Sequence, residues 1–383
     1  MSSQSVSRRN WLKSSTMIAA GLTMGTTKWA ELQARPAETF VHPLADLPVI
    51  KARLSSNENP FGPSEKAKKA ITEALPDSYL YPREHLMKFR KMIAQEEGVS
   101  EDHIMLGAGS GELLVATAIC YAFKNGAGSH VLSADPSYMQ LVRASTNIGI
   151  GWEKVPLNKA YDYDFSALSG KVTDKTSLVY ICNPNNPTGI VTDPQQLAAF
   201  CESVSKTKPI FVDEAYIDYT ANPKKVSMVE CIRKGQNVMI ARTFSKVHSF
   251  AGLRIGYLIA QPDVIKEIAK FGTSGSSISS TSVRGAIASY GDQEFIKYSV
   301  AKNNESKEFL YKLLKENGYT YLPSQTNFVL FPLKMDGKRF VDEMMKRGVS
   351  IRSWVFDDKQ WCRVSMGTMD QMKAFAEAFK QLA

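Results

Sequence analysis

Short apolar runs alternate with amphipathic stretches from about residue 100 onward, and this alternation restricts the possible folds more than any other feature. Strands are predicted at His103–Leu106, His130–Ser133, Ser177–Cys182, Ile210–Val212, Val238–Ala241 and Ile255–Ala260. Helices are predicted between them, at 110–123, 137–148 and 193–205, and the last has an apolar helical stripe of Leu197, Phe200, Cys201 and Val204. Apolar strands that alternate with helices favour an α/β fold with a mainly parallel sheet.

The C-terminal part has a different pattern. It predicts helices at about 294–317, 338–347 and 368–382, and strands at Tyr319–Leu322, Asn327–Pro332, Val349–Arg352 and Trp361–Met366. This order indicates a second, smaller α/β domain, and the Gly/Ser-rich stretch Phe271–Ser277 marks the boundary. We therefore predict an N-terminal arm (38–70), a large domain (71–275) and a small C-terminal domain (276–383).

The first 37 residues have the order of features of an export signal. The stretch Ser7–Lys13 resembles the twin-arginine motif, and the mildly apolar run Met17–Gly25 follows it. That run is too short for a transmembrane helix, and no later run is long enough, so no stable membrane span is predicted. The sequence predicts transient binding to the export machinery and a periplasmic location. The small residues Ala34 and Ala37 are candidate cleavage positions, and whether the signal is cleaved stays open. A cytoplasmic location is the alternative.

The five cysteines are dispersed and odd in number, and most lie in apolar runs, which predicts small core residues rather than disulfides or metal ligands. They are Cys120, Cys182, Cys201, Cys231 and Cys362. Unpaired thiols suit a protein that folds in the cytoplasm before export by the twin-arginine route, which also allows a cofactor to be installed there.

Charge distribution and histidine spacing argue against nucleic acids and metal ions as ligands. The formal charge is +9, and residues 1–37 carry five cations against one carboxylate, which leaves +5 spread over the rest without a basic block. Nucleic-acid binding therefore has little support. The histidines His42, His85, His103 and His130 lack ligand spacing, so no metal is predicted, and His248 is predicted to be structural.

One lysine lies among groups suited to a phosphorylated aldehyde. Lys246 follows the strand-like run Val238–Ala241, with Ser245 beside it and Arg254 eight residues later. A lysine withdrawn from water loses its proton more readily and attacks carbonyl groups. A hydroxyl and a guanidinium are suited to a phosphate. The combination predicts pyridoxal phosphate, although the lysine taken alone would be better explained as an ordinary surface lysine at a strand end.

Other candidate groups lie where the predicted strands end, which is where open α/β sheets bind ligands. The turn Leu106–Glu112 offers backbone N–H groups to a phosphate at a helix N-terminus, without the spacing of a dinucleotide fingerprint. Tyr138 follows a strand and can stack on a planar ligand. The turn Cys182–Gly189 offers amide groups. Asp213 ends an apolar strand, and a protonated pyridine nitrogen would pair with such a buried carboxylate.

Five motifs in order resemble the fold-type-I pyridoxal-phosphate aminotransferases, and most closely the histidinol-phosphate aminotransferase branch, over about 50–383. They are Asn57-Glu-Asn-Pro, Asn185-Asn-Pro-Thr-Gly, Asp213-Glu-Ala-Tyr, Ser245-Lys and Ala251-Gly-Leu-Arg. The resemblance implies a PLP-dependent transferase fold. It also implies a homodimer that moves amino groups between an amino acid or amine and a 2-oxo acid.

The resemblance also implies a role for each matching cofactor residue. Lys246 would bind the cofactor covalently and move the proton at the substrate Cα, while Asp213 would keep the pyridine nitrogen protonated. Asn186 and Tyr216 would bind the phenolate oxygen, and Tyr138 would stack on the ring. The phosphate would be bound by Ala108, Gly109, Ser110, Ser245 and Arg254.

The remaining matches concern the partner subunit and the substrate. Tyr81 would reach the phosphate from the neighbouring subunit, so the active site would need a dimer. Arg363 would bind the acidic group of the substrate and Arg352 its phosphate, with Asn59 and Asn327 nearby.

Two features depart from that branch. The stretch Gly272–Ser280 is unusually rich in Gly and Ser, and an export signal argues against histidine biosynthesis. The amino donor stays open, and an aromatic or phosphorylated amine would suit the Tyr, Trp and Arg residues near the C-terminal site. A threonine-phosphate decarboxylase-like lyase would use the same Lys246. A non-catalytic cofactor-binding protein is disfavoured by Lys246 and Asp213, and a nucleotide-binding oxidoreductase by the glycine spacing.

Overall fold

The computed structural model describes residues 49–382, so the predicted export signal and the predicted arm up to residue 48 lie outside the described residues. The strands are β1 (Ala52–Arg53), β2 (Ile104–Gly107), β3 (His130–Asp135), β4 (Gly151–Pro156), β5 (Thr176–Cys182), β6 (Ile210–Asp213), β7 (Val238–Thr243), β8 (Gly256–Ile259), β9 (Phe328–Pro332), β10 (Val349–Ser350), β11 (Arg352–Phe356) and β12 (Lys359–Ser365). The helices are α1 (Glu65–Ala74), α2 (Arg83–Glu97), α3 (Ser110–Asn125), α4 (Gln140–Asn147), α5 (Phe165–Gly170), α6 (Pro194–Val204), α7 (Pro223–Val226), α8 (Val229–Arg233), α9 (Pro262–Ala269), α10 (Ser280–Tyr290), α11 (Gln293–Glu316), α12 (Gly337–Lys346) and α13 (Met369–Lys380).

A seven-stranded sheet in the order β2-β8-β7-β6-β5-β3-β4 forms the centre of the fold. Strands β3 to β7 are parallel, and β8 is antiparallel to both of its neighbours, β7 and β2. Strand β2 therefore points the same way as the parallel strands, and six carboxyl ends lie at one edge of the sheet. The predicted α/β fold with a mainly parallel sheet is confirmed.

The apolar strands of this sheet are buried because helices cover it. Every residue of β5 and β6 is buried. On one side the core includes residues of α2 and α6, and on the other it includes residues of α3 and α4. The stripe predicted on α6 is buried, and the helix begins after Asp193, whose carboxylate accepts hydrogen bonds from the next turn. The five cysteines are buried and unpaired, as predicted.

The C-terminal strands form smaller sheets around a core of their own. Strands β11, β12 and β9 form an antiparallel sheet in that order, and β1 pairs in parallel with β10. Leu54, Phe331, Phe340 and Phe375 belong to this second core. The boundary near residue 275 stays a prediction. None of the helices within 49–382 is both long and apolar enough to cross a bilayer.

One predicted strand is wrong, and strands β1, β4 and most of β11 were not predicted. The segment 319–322 is not a strand: the Leu322 N–H bonds to the Leu330 carbonyl at 2.9 Å, but Pro323 has no N–H to extend a ladder. The Tyr319 side chain of this segment instead packs in the core: its ring lies edge-on to the Phe331 ring, with ring centroids 5.8 Å apart. Strand β4 was not predicted, since it lies at the sheet edge, largely accessible to solvent, and lacks a continuous apolar run.

Candidate active site

A cleft of about 270 Å³ lies at the edge where the carboxyl ends of the parallel strands meet. Ten of the residues predicted for a site line it: Ser110, Tyr138, Asn186, Asp213, Tyr216, Ser245, Lys246, Arg254, Arg352 and Arg363. Ser56, Asn57, Gly111, Gln140, Ala215, Thr243 and Ala251 complete the lining. The structure therefore brings together residues from β6 and β7, the loops beside them and the C-terminal hairpin.

Lys246 lies in the loop that follows β7. Its amino group donates a hydrogen bond to the Asn57 carbonyl at 3.2 Å and lies 5.3 Å from the centre of the Tyr216 ring. Burial, and to a smaller extent the positive charge of Arg363, lowers the pKa of Lys246 to about 8, against the opposing effect of Asp213. At pH 7 about a tenth of the amine is therefore neutral and nucleophilic, which is far more than for an ordinary lysine.

This lowered pKa predicts how the protein takes up an aldehyde. Because only the neutral amine attacks a carbonyl, the rate at which the apo-protein binds pyridoxal phosphate covalently should rise with pH and level off above about 8. Stopped-flow absorbance between pH 6 and 10 measures this rate. A rate that keeps rising to the usual lysine pKa would contradict the lowered value.

Asp213 is the last residue of β6 and is only 1% exposed. Its carboxylate accepts hydrogen bonds from the Tyr180 hydroxyl at 3.2 Å and from the Ala215 N–H at 3.1 Å. Burial raises the pKa of Asp213 to about 6, although both hydrogen bonds act in the opposite direction. A carboxylate in this position favours a cationic partner such as a protonated ring nitrogen.

The groups suited to a phosphate lie between α3 and Arg254. The first turn of α3 brings Ser110 and Gly111 to the cleft, and Gly109, just before the helix, provides no side chain to cap it. Gly109 has φ +83°, and a Cβ there would collide with the Arg254 guanidinium. Arg254 also donates to the Ser245 hydroxyl at 3.4 Å. The helix N-terminus, hydroxyl and guanidinium fit a phosphate, and with Lys246 they fit pyridoxal phosphate.

The backbone N–H of Ala108, which was predicted to bind phosphate, has another partner. It donates to the Glu112 carboxylate at 2.7 Å, and the same carboxylate accepts from the N–H and hydroxyl of Thr273 at 2.7 and 2.6 Å. Ala108 therefore supports the turn and lies outside the cleft lining. Glu112 joins this turn to the Gly/Ser-rich stretch, a contact that sequence spacing does not reveal.

Tyr216 and Asn186 meet in the cleft as the resemblance implies, together with a residue that was not singled out. The Tyr216 hydroxyl accepts hydrogen bonds from the Nδ2 atoms of Asn57 at 2.9 Å and Asn186 at 3.2 Å. Asn57 is also bonded twice to Ser365, through its N–H and its Oδ1 atom, each at 2.8 Å. The sequence did contain an indication that Asn57 belongs to the site, because Asn57 is the first residue of the Asn-Glu-Asn-Pro motif.

Four other predicted residues lie outside the cleft lining, and Gly109, described above, is one of them. The Asn59 amide donates to the Val247 carbonyl at 2.8 Å and so supports the loop of Lys246 from behind. The Asn327 amide donates to the Asn57 carbonyl at 3.0 Å. Tyr81 lies on the surface and is 84% exposed.

Arg363 is a buried cation in the lining of the cleft, only 3% exposed. Its guanidinium donates to Asn186 Oδ1 at 2.6 Å and to the Ser55 carbonyl at 2.9 Å, while its Nε atom has no partner among the described residues. Burial lowers the pKa of Arg363 to about 10, so it stays charged at neutral pH. Within 49–382 no carboxylate forms a salt bridge with Arg363 or with its exposed neighbour Arg352.

His248 is structural, as predicted. Its ring stacks on Phe244 with centroids 4.2 Å apart, and its Nδ1 atom is 2.8 Å from the Ser289 hydroxyl. Burial lowers the pKa of His248 to about 3, so the ring is neutral. It lines a larger cavity of about 800 Å³, in which Arg242 pairs with Glu97 and Glu214. These charges already satisfy one another, which makes this cavity the weaker candidate for catalysis.

Ser249, in the loop of Lys246, has an unfavourable backbone conformation. Its φ is +64°, and its buried hydroxyl has no partner among the described residues. We expect Ser249→Gly to raise the free energy of unfolding by about 0.5–1 kcal/mol, because glycine adopts this conformation without a Cβ clash. Denaturant unfolding measures the change. Ser249→Ala removes the hydroxyl but keeps the Cβ, so an equal gain from Ala would contradict the backbone explanation.

Known proteins share both the sequence and the architecture. The aminotransferase class I and II family model matches residues 49–379. Histidinol-phosphate aminotransferase from Moorella thermoacetica is 31% identical over 91% of this chain and 89% of its own length. The crystal structure of histidinol-phosphate aminotransferase from Sinorhizobium meliloti in complex with pyridoxal-5'-phosphate has a TM-score of 0.81 at 28% identity, over 88% of this chain and 92% of that chain. L-threonine-O-3-phosphate decarboxylase from Porphyromonas gingivalis shares the fold, with a TM-score of 0.73 at 21% identity over 86% of this chain and 99% of that chain.

Proposed function

This chain belongs to the class I and II aminotransferase family and is a pyridoxal-phosphate-dependent transaminase, and on this basis we propose that its amino donor is a phosphorylated amine of the histidinol-phosphate kind. The observation that carries the proposal is the buried cation Arg363, which has no carboxylate partner within 49–382. A buried charge is costly unless it is paired, so an anionic substrate group is its expected partner.

The two arginines are arranged to bind a doubly charged group. Arg352 and Arg363 lie opposite each other in the antiparallel pair of β11 and β12, so their side chains share a face. Arg363 is buried and held in place, whereas Arg352 is exposed at the mouth of the cleft. A phosphate or dicarboxylate accepts hydrogen bonds from two guanidinium groups, and this gives the site a preference over neutral side chains.

The residues around the cofactor have separate tasks. Bound pyridoxal phosphate supplies the electrophilic carbon and the electron-accepting ring that transamination requires. Lys246, with its lowered pKa, removes and returns the proton at the substrate Cα. Asp213 would keep the ring nitrogen of the bound cofactor protonated by its negative charge, and Arg363 would orient the substrate acid.

A substrate panel tests the proposal. The purified enzyme is mixed with phosphorylated amines, aromatic amino acids and aliphatic amino acids, each with 2-oxoglutarate, and glutamate and carbon dioxide are both measured. We expect glutamate with the phosphorylated amines and a loss of that preference in Arg352→Gln. Carbon dioxide without glutamate would instead identify a lyase, and activity with neutral substrates alone would refute the assignment to phosphorylated amines.

We also propose a homodimer in which Tyr81 completes the partner's cleft. The segment around Tyr81 carries large apolar side chains that are exposed in the single chain: Leu75, Tyr79, Leu80 and Met87. Such a patch is typical of a protein interface. Sedimentation velocity tests the dimer, and Tyr81→Phe should weaken cofactor binding if its hydroxyl reaches the phosphate of the neighbouring subunit.

Export to the periplasm by the twin-arginine route is a further part of the proposal. It is supported by the Ser7–Lys13 motif and the apolar run that follows it. We expect replacement of Arg8 and Arg9 by lysine to hold the protein in the cytoplasm, as measured by fractionation. Unchanged export of this variant would show that the segment is not a twin-arginine signal.

A further inference from the structure

The hairpin that carries both candidate substrate arginines has a ladder of side chains on one face. The opposed pairs are Arg352 with Arg363, Trp354 with Trp361, and Phe356 with Lys359. Directly opposed residues of an antiparallel pair share a face, and every second residue along a strand returns to it. The ladder therefore runs from the arginines at the cleft to Phe356 and Lys359 at the hairpin tip.

Tyr161, in the loop after β4, contacts the tip of this ladder. Its ring lies edge-on to Trp361, with centroids 5.1 Å apart, and to Phe356 at 6.1 Å. Phe356 and Trp361 stack on each other at 4.9 Å with nearly parallel planes. Edge-to-face and stacked geometries are the favourable ones for aromatic pairs, so the three rings form a packed cluster.

Polar contacts also join Tyr161 to the hairpin tip. The Tyr161 hydroxyl donates to Asp357 Oδ2 at 2.9 Å, and the Lys359 ammonium donates to both the hydroxyl and that carboxylate, at 3.0 and 2.9 Å. Tyr161 thereby joins both strands of the hairpin at its tip.

Residues on both sides of this contact, in the Tyr161 loop and in the hairpin turn, have unfavourable backbone conformations. Tyr161, Asp357 and Asp358 have φ values of +61°, +52° and +51°, in the left-handed region that side chains other than glycine rarely adopt. Asp357 and Asp358 form the two-residue turn between β11 and β12, where two positive φ values match the twist of the strands. Such conformations persist only where surrounding contacts hold them, and here they meet in one place.

The tip is connected to the cleft through Trp354. The Trp354 ring centre lies 4.6 Å from the Arg363 guanidinium carbon, and Trp354 is the register partner of Trp361. A shift of Trp361 would therefore move the aromatic surface on which Arg363 rests. Arg363 sits on the same strand, two residues beyond Trp361.

We propose that Tyr161 is a positioning residue: its contacts hold the β11–β12 hairpin in place and thereby position the Arg352 and Arg363 side chains to bind an anionic substrate. The inference rests on the proposed role of the two arginines. Tyr161 touches neither of the reacting groups: its effect passes through Trp361, Trp354 and the strands.

The test measures substrate binding separately from turnover and from stability. The variants are Tyr161→Ala, Tyr161→Phe and Arg363→Lys, with Val355→Ala as the control, since Val355 lies on the other face of the same hairpin and is 69% exposed. The holoenzymes are titrated with 2-oxoglutarate, and KM, kcat, cofactor dissociation and thermal midpoint are measured. We expect Tyr161→Ala to raise KM and the dissociation constant of 2-oxoglutarate about tenfold, because small misplacements of a binding group are costly.

In that variant kcat and cofactor affinity should stay near those of the control, while the thermal midpoint should fall because the ring packing at the hairpin tip is lost. Tyr161→Phe should have a smaller effect in the same direction and should fold even if the alanine variant does not. Its combination with Arg363→Lys should be non-additive, because the two residues act on the same contact. An unchanged KM in both Tyr161 variants, or additive effects, would overturn the inference.

The outcomes also separate this inference from the proposed function. If Arg363→Lys leaves 2-oxoglutarate binding unchanged, the role of the arginine itself is wrong. If Arg363→Lys weakens binding while the Tyr161 variants do not, the arginine role stands and the positioning role is refuted. A loss of cofactor affinity in Tyr161→Ala that accompanies the lower thermal midpoint would identify a general structural role instead.

Discussion

Lys246→Ala is expected to bind no pyridoxal phosphate covalently and to lose activity by about 10⁴-fold or more, the upper range for a positioned proton-transfer group. The physical reason is that its buried amine, with a pKa lowered to about 8, is both the nucleophile and the base of the site. Borohydride reduction followed by mass spectrometry measures the covalent attachment, and coupled glutamate formation measures the activity.

A second lysine provides a matched control. Lys307 is also buried, with its pKa lowered by burial to about 8, but its amino group donates to the Ser324 carbonyl at 2.9 Å and does not line the cleft. Lys307→Met should retain the covalent cofactor, although it loses a buried hydrogen bond. A reduced cofactor adduct on Lys307, or on any lysine other than Lys246, would refute the assignment.

Asp213→Asn should lower kcat/KM by about 10²–10³-fold, the range for removal of one preorganised electrostatic contact. The asparagine is close in size and can still accept hydrogen bonds, but it has no negative charge to stabilise a protonated ring nitrogen. Steady-state kinetics with saturating cofactor measures the loss, and the absorbance of the bound cofactor over a pH range tests the ring protonation directly.

Tyr180→Phe is the control for this position. It removes the hydroxyl that donates to Asp213 at 3.2 Å and keeps the carboxylate. The expected loss is less than about tenfold, since one hydrogen bond contributes about 1 kcal/mol. If Asp213→Asn were no worse than Tyr180→Phe, the negative charge would not be the feature that matters.

Sequence patterns predicted the central strands of the sheet well because each of them contains a run of consecutive apolar residues. Strands β5, β6 and β7 follow the predicted runs closely. The edge strand β4 was missed and the segment 319–322 was wrongly predicted as a strand, for related reasons. Local apolar pattern does not distinguish a paired strand from a coil packed in the core, and it does not detect a strand that faces solvent.

For the site, sequence order identified the groups that stand at strand ends but not the contacts between distant segments. The bonds of Asn57 to Tyr216 and Ser365 join three separated parts of the chain, so no spacing rule reveals them. The hydrogen bond from the Ala108 N–H to Glu112 depends on the direction in which the Glu112 side chain points, which sequence composition does not reveal. The packing of Tyr161 against the hairpin tip likewise depends on the tertiary structure, so it cannot be predicted from local sequence.

The pairing of β1 with β10 has a consequence for biosynthesis. Ala52 pairs with Val349, so the first strand of the described chain has no partner on the ribosome until almost the whole polypeptide has been made. Contacts this distant in sequence form late, because closing the long loop costs entropy before the contact can stabilise it. Under the proposed export route, strand β1, which follows the twin-arginine signal, is anchored in a sheet only in a nearly complete molecule. Chains terminated before β10 would carry the signal but leave β1 unpaired. Unpaired β1 would therefore distinguish incomplete molecules from complete ones.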